Sequence, residues 1–478
     1  MIKSNIIWTS KEASEALGVD KHSEWNATGV SIDSRTVEDG DLFVALTGDS
    51  GDGHEYVQTA LKNGAVAAIV SKEIKGVDAS KLVVVSDTLQ ALQNLAIASR
   101  KRTSAKIIAI TGSVGKTGTK ELLQAAFCVY GQTHASVKSY NNHWGVPLSL
   151  ARMHAGTDYG IFEIGMNHLG EITPLSKLVK PDISIITTVA PVHIENFENG
   201  IDDIVIAKSE IFDGMSDGGI AILNSDHNNF DQLKKNAENK NLKVISYGER
   251  KSADTYIKDI IEAANGSRVQ ANVLGEDISY SLQIAGKHIA VNALSVVTAV
   301  KSCGENLDKA ISALSKQEPV QGRGKREFLD LGILNNPITL IDESYNASPT
   351  AMQAAFKVLA LIDPGRGGRR IAILGDMLEL GRDSNNMHAD LALPLKAANV
   401  DLVYTCGKRM KNLYDNLPAN QRGAHKDSSR ELAQIVPDVL IPGDVVMVKG
   451  SLGSKMSLVV EAMRALPLKF KQATEGSL

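Results

Sequence analysis

The stretch "AKIIAITGSVGKTGT", residues 105–119, passes from an apolar run into glycines, a lysine and threonines. Its first half has the make-up of a buried strand, and its second half is the kind of loop that holds a phosphate. The strand should deliver the chain into residues 112–118, with a helix opening near Lys116. Free amides at a helix start, beside glycines that let the backbone come close, form an anion site. Lys116 would then reach the β- and γ-phosphates of a nucleotide, and the Thr117 hydroxyl would ligate Mg²⁺. The loop departs from the full G-x-x-x-x-G-K-[ST] spacing, because Ile110 stands at the first glycine position. A plain glycine turn between strand and helix is the alternative. ATP is the expected nucleotide, since no guanine-specific N-K-x-D occurs.

Working outward, "YGIFEIG", "DISIITTVA" and "GIAILN" repeat the apolar strand, and helical runs such as "KELLQAAFCVY" stand between them. Near-continuous apolar strands alternating with helices predict a parallel sheet covered on both faces. Residues 246–284 break that rhythm with alternating strands and an "NG" turn, which predicts a hairpin or small antiparallel sheet inserted there. The helical "HIAVNALSVVTAVKSC" follows, and "SKQEPVQGRGKRE" is the linker candidate. A further α/β alternation then runs through "ITLIDES", "RIAILGDM", "DLVYTCG" and "DVVMVKGS". Before residue 105, "DLFVAL", "AVAAIV", "KLVVVSD" and a long helical run describe a small α/β domain. The fold class is α/β throughout.

The length of 478 residues agrees with three domains at roughly 150 residues each. A net charge of −4 with 22% charged residues suggests neither a nucleic-acid nor a membrane partner. No apolar run approaches the ~18 residues of a spanning helix. The opening "MIKSNIIWTSKEASEAL" lacks a signal peptide's apolar core, so a cytoplasmic protein is expected. Cys128, Cys303 and Cys406 are far apart, without metal-ligand spacing, and suit a reducing compartment.

A bound nucleotide needs a metal with oxygen ligands in the same pocket. "IFEIGMNHLGEI" offers Glu163, Asn167 and His168, and "TTVAPVHIENF" offers His193, each after an apolar strand. Open α/β sheets place ligands at such carboxyl ends. A glutamate buried there is costly unless it is paired or metal-bound. Surface Glu and His side chains are the alternative, and Lys208 by itself reads as a solvated lysine of an amphipathic helix.

In order along the chain, "TGSVGKTGTKE", "NNHWGVPLSL", "EIGMNHLGEI", "VAPVHIENF", "AKSEIF", "GKHIAVNAL", "QGRGKRE", "DESYNASPTAM" and "LGDMLELG" resemble the Mur ligase family, from about Ser31 to the last helix. The resemblance implies an N-terminal α/β domain for a UDP-sugar at residues 1–103. A central P-loop, parallel-sheet ATP-binding domain at 104–318 and a Rossmann-like C-terminal domain at 319–478 would follow. It places the phosphate loop on Gly112, Ser113, Val114, Gly115, Lys116, Thr117 and Gly118. Glu163 and His193 match Mg²⁺ ligands, joined by Thr117. Lys208 matches a lysine carried as a carbamate, an anion able to hold the metal. Lys116, Glu163, His193 and Lys208 are the implied catalytic set. Asn292 falls near the adenine, with His288 one helical turn before it.

Arg323 and Asp342 are the implied reach of the C-terminal domain to the nucleotide, with Tyr345 and Asn346 closing the site around substrate. Ser31, Asp33, Ser34, Arg35 and His54 are implied contacts of the uridine nucleotide, and Asn142 is a further substrate contact. Read alone, "DSR" is a common turn with a local Asp–Arg pair. Ser348 departs from the family's usual Asn in "YNANP". Asp376, Glu379 and His388 are candidates for a dipeptide site, with a capped helix start and a surface histidine as the alternative.

"YNASPTAM" with "LGDMLELG" favours the family members that join D-alanyl-D-alanine to UDP-N-acetylmuramoyl-tripeptide over those that add single amino acids. The implied cofactors are ATP and Mg²⁺, the implied route an acyl phosphate, and a monomer is the expected state. Gly322 and Gly324 are hinge candidates. A single-amino-acid ligase on the same scaffold and a P-loop switch, with "ITLIDES" as its acidic strand end, are the competing readings. A nucleotide-sugar binding module without chemistry leaves Lys116, Glu163 and His193 unexplained.

Overall fold

The strand Lys106–Thr111 lies inside a nine-stranded sheet, with Tyr159–Glu163 on one side and Ile183–Ile186 on the other. This computed structural model describes residues 6–20, 23–48, 51–137, 139–191, 194–332 and 336–467. Ile107, Ile108, Ala109 and Ile110 are all fully buried, and they alternate between two cores. Ile108 and Ile110 pack with Leu122, Phe127 and the helix Lys287–Ser302. Ile107 and Ala109 pack with Val146, Phe162 and Phe212 on the opposite face. A strand covered on both faces must be apolar at every position, which is why this one reads as a continuous run. Each isoleucine so buried contributes roughly 1.5–3 kcal/mol.

The sheet runs Thr133–Ala135, Tyr159–Glu163, Lys106–Thr111, Ile183–Ile186, Ile220–Asn224 and Lys243–Gly248, all parallel. Residues 246–284 do not form a separate sheet. Strand Thr255–Ala263 pairs in parallel with Lys243–Gly248, and Gly266–Val273 and Glu276–Leu282 extend the same sheet as an antiparallel meander. The tight turn is made by Ala264 and Asn265, one residue before the predicted "NG", and Gly266, at φ 146°, opens the next strand opposite Ala263.

A four-stranded parallel sheet, Gly29–Ser31, Asp41–Val44, Ala67–Val70 and Leu82–Val84, forms the N-terminal part. The C-terminal sheet has six strands in the order Lys325–Leu329, Ile338–Glu343, Val445–Lys449, Arg370–Gly375, Leu402–Cys406 and Arg422–Lys426. Its first strand is antiparallel and the rest parallel. Neither Lys325–Leu329 nor Arg422–Lys426 belongs to the apolar series expected from sequence. Both are edge strands carrying charged residues, a composition that blunts pairing with other chains.

Helix Gly145–Ala151 joins the first two parts. Leu148 and Ala151 belong to the N-terminal core around Trp8, Leu42 and Leu92, while Val146 and Leu150 belong to the central one. Trp8 Nε1 donates to Ala151 O at 2.8 Å and Ser99 Oγ donates to Met153 O at 3.0 Å across the same seam.

Candidate active site

Residues 112–115 turn tightly between the strand Lys106–Thr111 and the helix Lys116–Phe127. Gly112 has φ 149° and Gly115 has φ 92°, a conformation that favours glycine. A Cβ on Gly112 would overlap Thr187 Oγ1, and one on Gly115 would lie 2.6 Å from Asn292 Nδ2. Gly115 is the helix N-cap and offers no side-chain cap, so the first helical amides are left for an anion. Ser113 fastens the loop to the next strand end: its amide donates to Thr188 O at 2.7 Å and its hydroxyl to Ala190 O at 2.9 Å. Thr187 Oγ1 donates to Val114 O at 2.6 Å.

Lys116 folds back so that Nζ donates to Gly112 O at 2.6 Å. Burial pushes its pKa below the ordinary lysine value, Glu163 opposes that and Arg323 adds to it. Thr117 Oγ1 donates to Glu163 Oε2 at 2.8 Å. Glu163, 1% exposed at the end of its strand, accepts a second hydrogen bond on Oε1 from Asn141 Nδ2 at 2.7 Å. Lys208, in helix Ile201–Ser209, is 3% exposed rather than solvated. Burial and the nearby Lys116 hold its pKa well below the ordinary lysine value.

Arg323 arrives from the linker. Its Nη2 donates to Ser139 Oγ at 3.3 Å, Ser139 Oγ lies 3.2 Å from Thr117 Oγ1, and the guanidinium stacks on Tyr345 at 4.4 Å. Gly112, Gly115, Lys116, Thr117, Glu163, Lys208, Asn292 and Arg323 are thus brought to one place, with Tyr345 at its edge. His193 lies outside the described residues. Asn167 and His168 are exposed. Among the described residues no group of three or more His, Cys, Asp or Glu side chains forms a metal cluster.

Several of the expected ligand contacts make hydrogen bonds within the chain, Asp342 and His54 buried, Asn142 and Asn346 exposed. Asp342 is 1% exposed, with Oδ1 accepting from the Ser344 hydroxyl at 2.6 Å and Oδ2 from Arg464 at 3.1 Å. Asn346 Oδ1 accepts from the Ala347 amide at 2.8 Å. Asn142 Oδ1 accepts from the Gly145 amide at 2.9 Å and so caps helix Gly145–Ala151. His54 is buried, bonded through Nδ1 to Asp52 at 2.5 Å and accepting on Nε2 from the Ser71 amide at 2.8 Å. It therefore braces its loop rather than presenting a polar atom to a ligand.

Asp33 and Arg35 form the local pair at 2.6 Å, with the arginine exposed. Ser31 Oγ donates to Asp33 O at 3.1 Å, and Ser34 O accepts from Asn63 at 2.8 Å. This group closes the strand Gly29–Ser31, on a different sheet from the phosphate loop. Asp376 accepts from the Met410 amide at 2.8 Å, a helix cap. His388 is fully buried and accepts from the Met377 amide at 2.9 Å, so it is no surface histidine. Glu379 stands at φ 61°.

Nothing in the sequence marks Asn141 and Ser139 as site residues. Asn141 sits beside Asn142, and in an irregular segment no periodicity tells which of two adjacent asparagines faces the site.

Family models match most of the chain: "Mur ligase family, catalytic domain" at residues 26–106, "Mur ligase middle domain" at 110–300 and "Mur ligase, glutamate ligase domain" at 331–452. The UDP-N-acetylmuramoyl-tripeptide--D-alanyl-D-alanine ligase of Rickettsia prowazekii is 35% identical, over 95% of this chain and 99% of the relative. The Bacillus subtilis ligase of the same name is 29% identical, over 98% and 100%. A crystal structure of MurF from Acinetobacter baumannii superposes with a TM-score of 0.81 at 27% identity, covering 96% of this chain and 98% of that one. Glycine loop, helix start and strand-end glutamate thus stand in a chain matched by this family's models in all three of its parts, and the chain belongs to the Mur ligase family.

Proposed function

We propose that this chain joins D-alanyl-D-alanine to the terminal carboxylate of UDP-N-acetylmuramoyl-tripeptide, with ATP converted to ADP and phosphate, giving the pentapeptide precursor of peptidoglycan. The observation that carries this reading is the convergence of Lys116, Thr117, Glu163 and Arg323 at one set of strand ends. The full-length relatives named for this reaction support the choice of substrates.

A carboxylate is a poor acyl donor because its oxygen does not leave. One of its oxygens attacks the γ-phosphorus of ATP, the bond to ADP breaks, and an acyl phosphate forms. Lys116, released from Gly112 O, and the amides at the helix start take up the negative charge of that step. Arg323, parked on Ser139 beside Thr117, is the cation placed to meet the same phosphate from the linker side. The unprotonated amine of the dipeptide then attacks the acyl carbon, phosphate leaves with the bonding pair, and the amine's extra proton is lost as the amide forms. An acyl phosphate hydrolyses in open water, so closure of the C-terminal part over the site protects it.

The donors present fit Mg²⁺. Glu163 is buried with neutral hydrogen-bond donors on both oxygens, and Thr117 supplies a hydroxyl beside it. Mg²⁺ binds through one or two carboxylates with substrate phosphates and water. Thr117 and Glu163 would hold it, with His193 and Lys208 added by the family resemblance. When bound, the ion neutralises phosphate charge that would repel the attacking carboxylate. Lys208 is suited to carbamate formation, because a buried lysine of depressed pKa presents the neutral amine that CO₂ adds to.

In this reading residues 1–103 hold the uridine nucleotide, 104–318 ATP and 319–478 the dipeptide, and the enzyme works as a monomer in the cytoplasm. Among the described residues no helix is long and apolar enough to cross a membrane. The test is ADP release with ATP, Mg²⁺ and UDP-N-acetylmuramoyl-tripeptide, with and without D-alanyl-D-alanine. Turnover only with the dipeptide, and a product heavier by its mass less water, is the expected result. Turnover with single amino acids, or without any acceptor, overturns the reading.

A further inference from the structure

Between the strand Thr133–Ala135 and the helix Gly145–Ala151, one short segment touches three parts of the molecule. Ser139 meets Thr117 of the phosphate loop and Arg323 of the linker. Asn141 donates to Glu163 Oε1 at 2.7 Å, and its carbonyl accepts from the Gly165 amide at 2.8 Å. Its side chain lies directly over Gly165, where a Cβ would fall 2.9 Å from it, so only glycine leaves it this place. Trp144 lays its indole on Gly48 of the N-terminal part, where a Cβ would overlap Cη2 and lie 3.0 Å from Cζ2. Trp144 and Tyr140 both pack against the N-terminal core.

We infer that residues 139–144 form a brace in which Asn141 aims Glu163, and Trp144, seated on Gly48, ties that aim to the N-terminal part. Glu163 is bonded by the Thr117 hydroxyl on one oxygen and the Asn141 amide on the other, so a shift of Asn141 turns the carboxylate. The segment itself has no strand ladder to fix it, and its position is set by what its two ends touch. Asn141 is a positioning residue, acting through Glu163. A misplacement of about 1 Å at such a group costs on the order of 100-fold in rate. The effect on turnover rests on the function proposed above, whereas the mechanical link does not.

Trp144 is one of three tryptophans, so the difference in emission between the wild type and Trp144→Phe isolates its signal. With the full chain and Mg²⁺ plus ADP as probe, the Trp144 emission is expected to change in the wild type and to stay constant in Asn141→Ala. In turnover, Asn141→Ala is expected to lower kcat by roughly 10- to 100-fold, with the KM for the uridine nucleotide unchanged. Gly48→Ala, which displaces the indole and replaces no side chain of the site, should lower kcat in the same direction. The double variant should fall no further than Asn141→Ala alone.

Multiplying losses, an emission change that survives in Asn141→Ala, or no change in the wild type overturns the inference. If Asn141→Ala does not fold, Gly48→Ala carries both measurements, with a kcat equal to wild type as the contrary result. A wild type without dipeptide-dependent turnover but with the Asn141-dependent emission change sinks the proposed reaction and leaves the brace standing.

Discussion

Single residues here are decided by what their neighbours leave free. Glu163, His54, His134 and His388 look alike in sequence as polar residues beside apolar runs, yet their partners give them different tasks. His134 illustrates the pH consequence. Its Nε2 bonds Ser149 O at 2.7 Å and its ring lies 5.9 Å from that of Phe162. Burial lowers its pKa from 6.5 to about 4, the Ser149 carbonyl opposes that, and Arg152 adds to the fall. The folded state therefore holds the neutral ring where the unfolded chain takes up a proton. Its contribution to stability is complete above pH 6.5 and is lost as pH falls toward 4, on the order of 3 kcal/mol in all. Thermal unfolding followed across that range should show a shallower acid slope in His134→Gln, whose amide can still donate to Ser149 O. An unchanged slope assigns the acid sensitivity to other groups.

At the scale of elements, the strand and helix series was legible wherever burial forces an apolar run. The strand Lys106–Thr111 and the glycine turn behind it are dictated by packing on two faces and by positive φ at Gly112 and Gly115. The site was legible where chemistry requires a residue type at a helix start, as with Lys116 and Thr117. It was not legible in irregular segments, where side-chain direction follows tertiary contacts. Asn142 and Asn141 show this: the first caps a helix and the second reaches Glu163. Asp376 and Asp342 are likewise engaged, the first as a helix cap and the second by the Ser344 hydroxyl and the half-buried Arg464. Removal of the Asn142 cap should cost about 1 kcal/mol of stability. Asn142→Ala is thus expected to unfold at a lower temperature while the KM for the uridine nucleotide stays at the wild-type value. A raised KM with unchanged stability would return Asn142 to the substrate.

For the whole molecule, the three sheets are joined unequally. Helix Gly145–Ala151 belongs to the N-terminal and central cores at once. The same seam carries hydrogen bonds from Trp8, Ser99, Arg102 and Arg152 to backbone carbonyls. The C-terminal part meets the centre through narrower contacts. Arg323 reaches Ser139, Gly381 lies against Glu195, and Ala264 at the meander tip packs on the cluster of Met352 and Phe356. A shared core resists separation, whereas side-chain contacts of this kind break and re-form, so the first two parts should move as one body and the third against them. The connection between them is irregular over residues 317–320 and then turns through Gly322 and Gly324, at φ 77° and 92°. Limited proteolysis of the full chain should therefore nick first within residues 315–324 and leave the bond region near residue 104 intact. Cleavage there should slow when ADP, Mg²⁺ and the uridine nucleotide are present together, because Arg323 then has phosphate to hold. Early cleavage near residue 104 instead would place the mobile joint between the first two parts and make the shared helix a weaker tie than its packing implies.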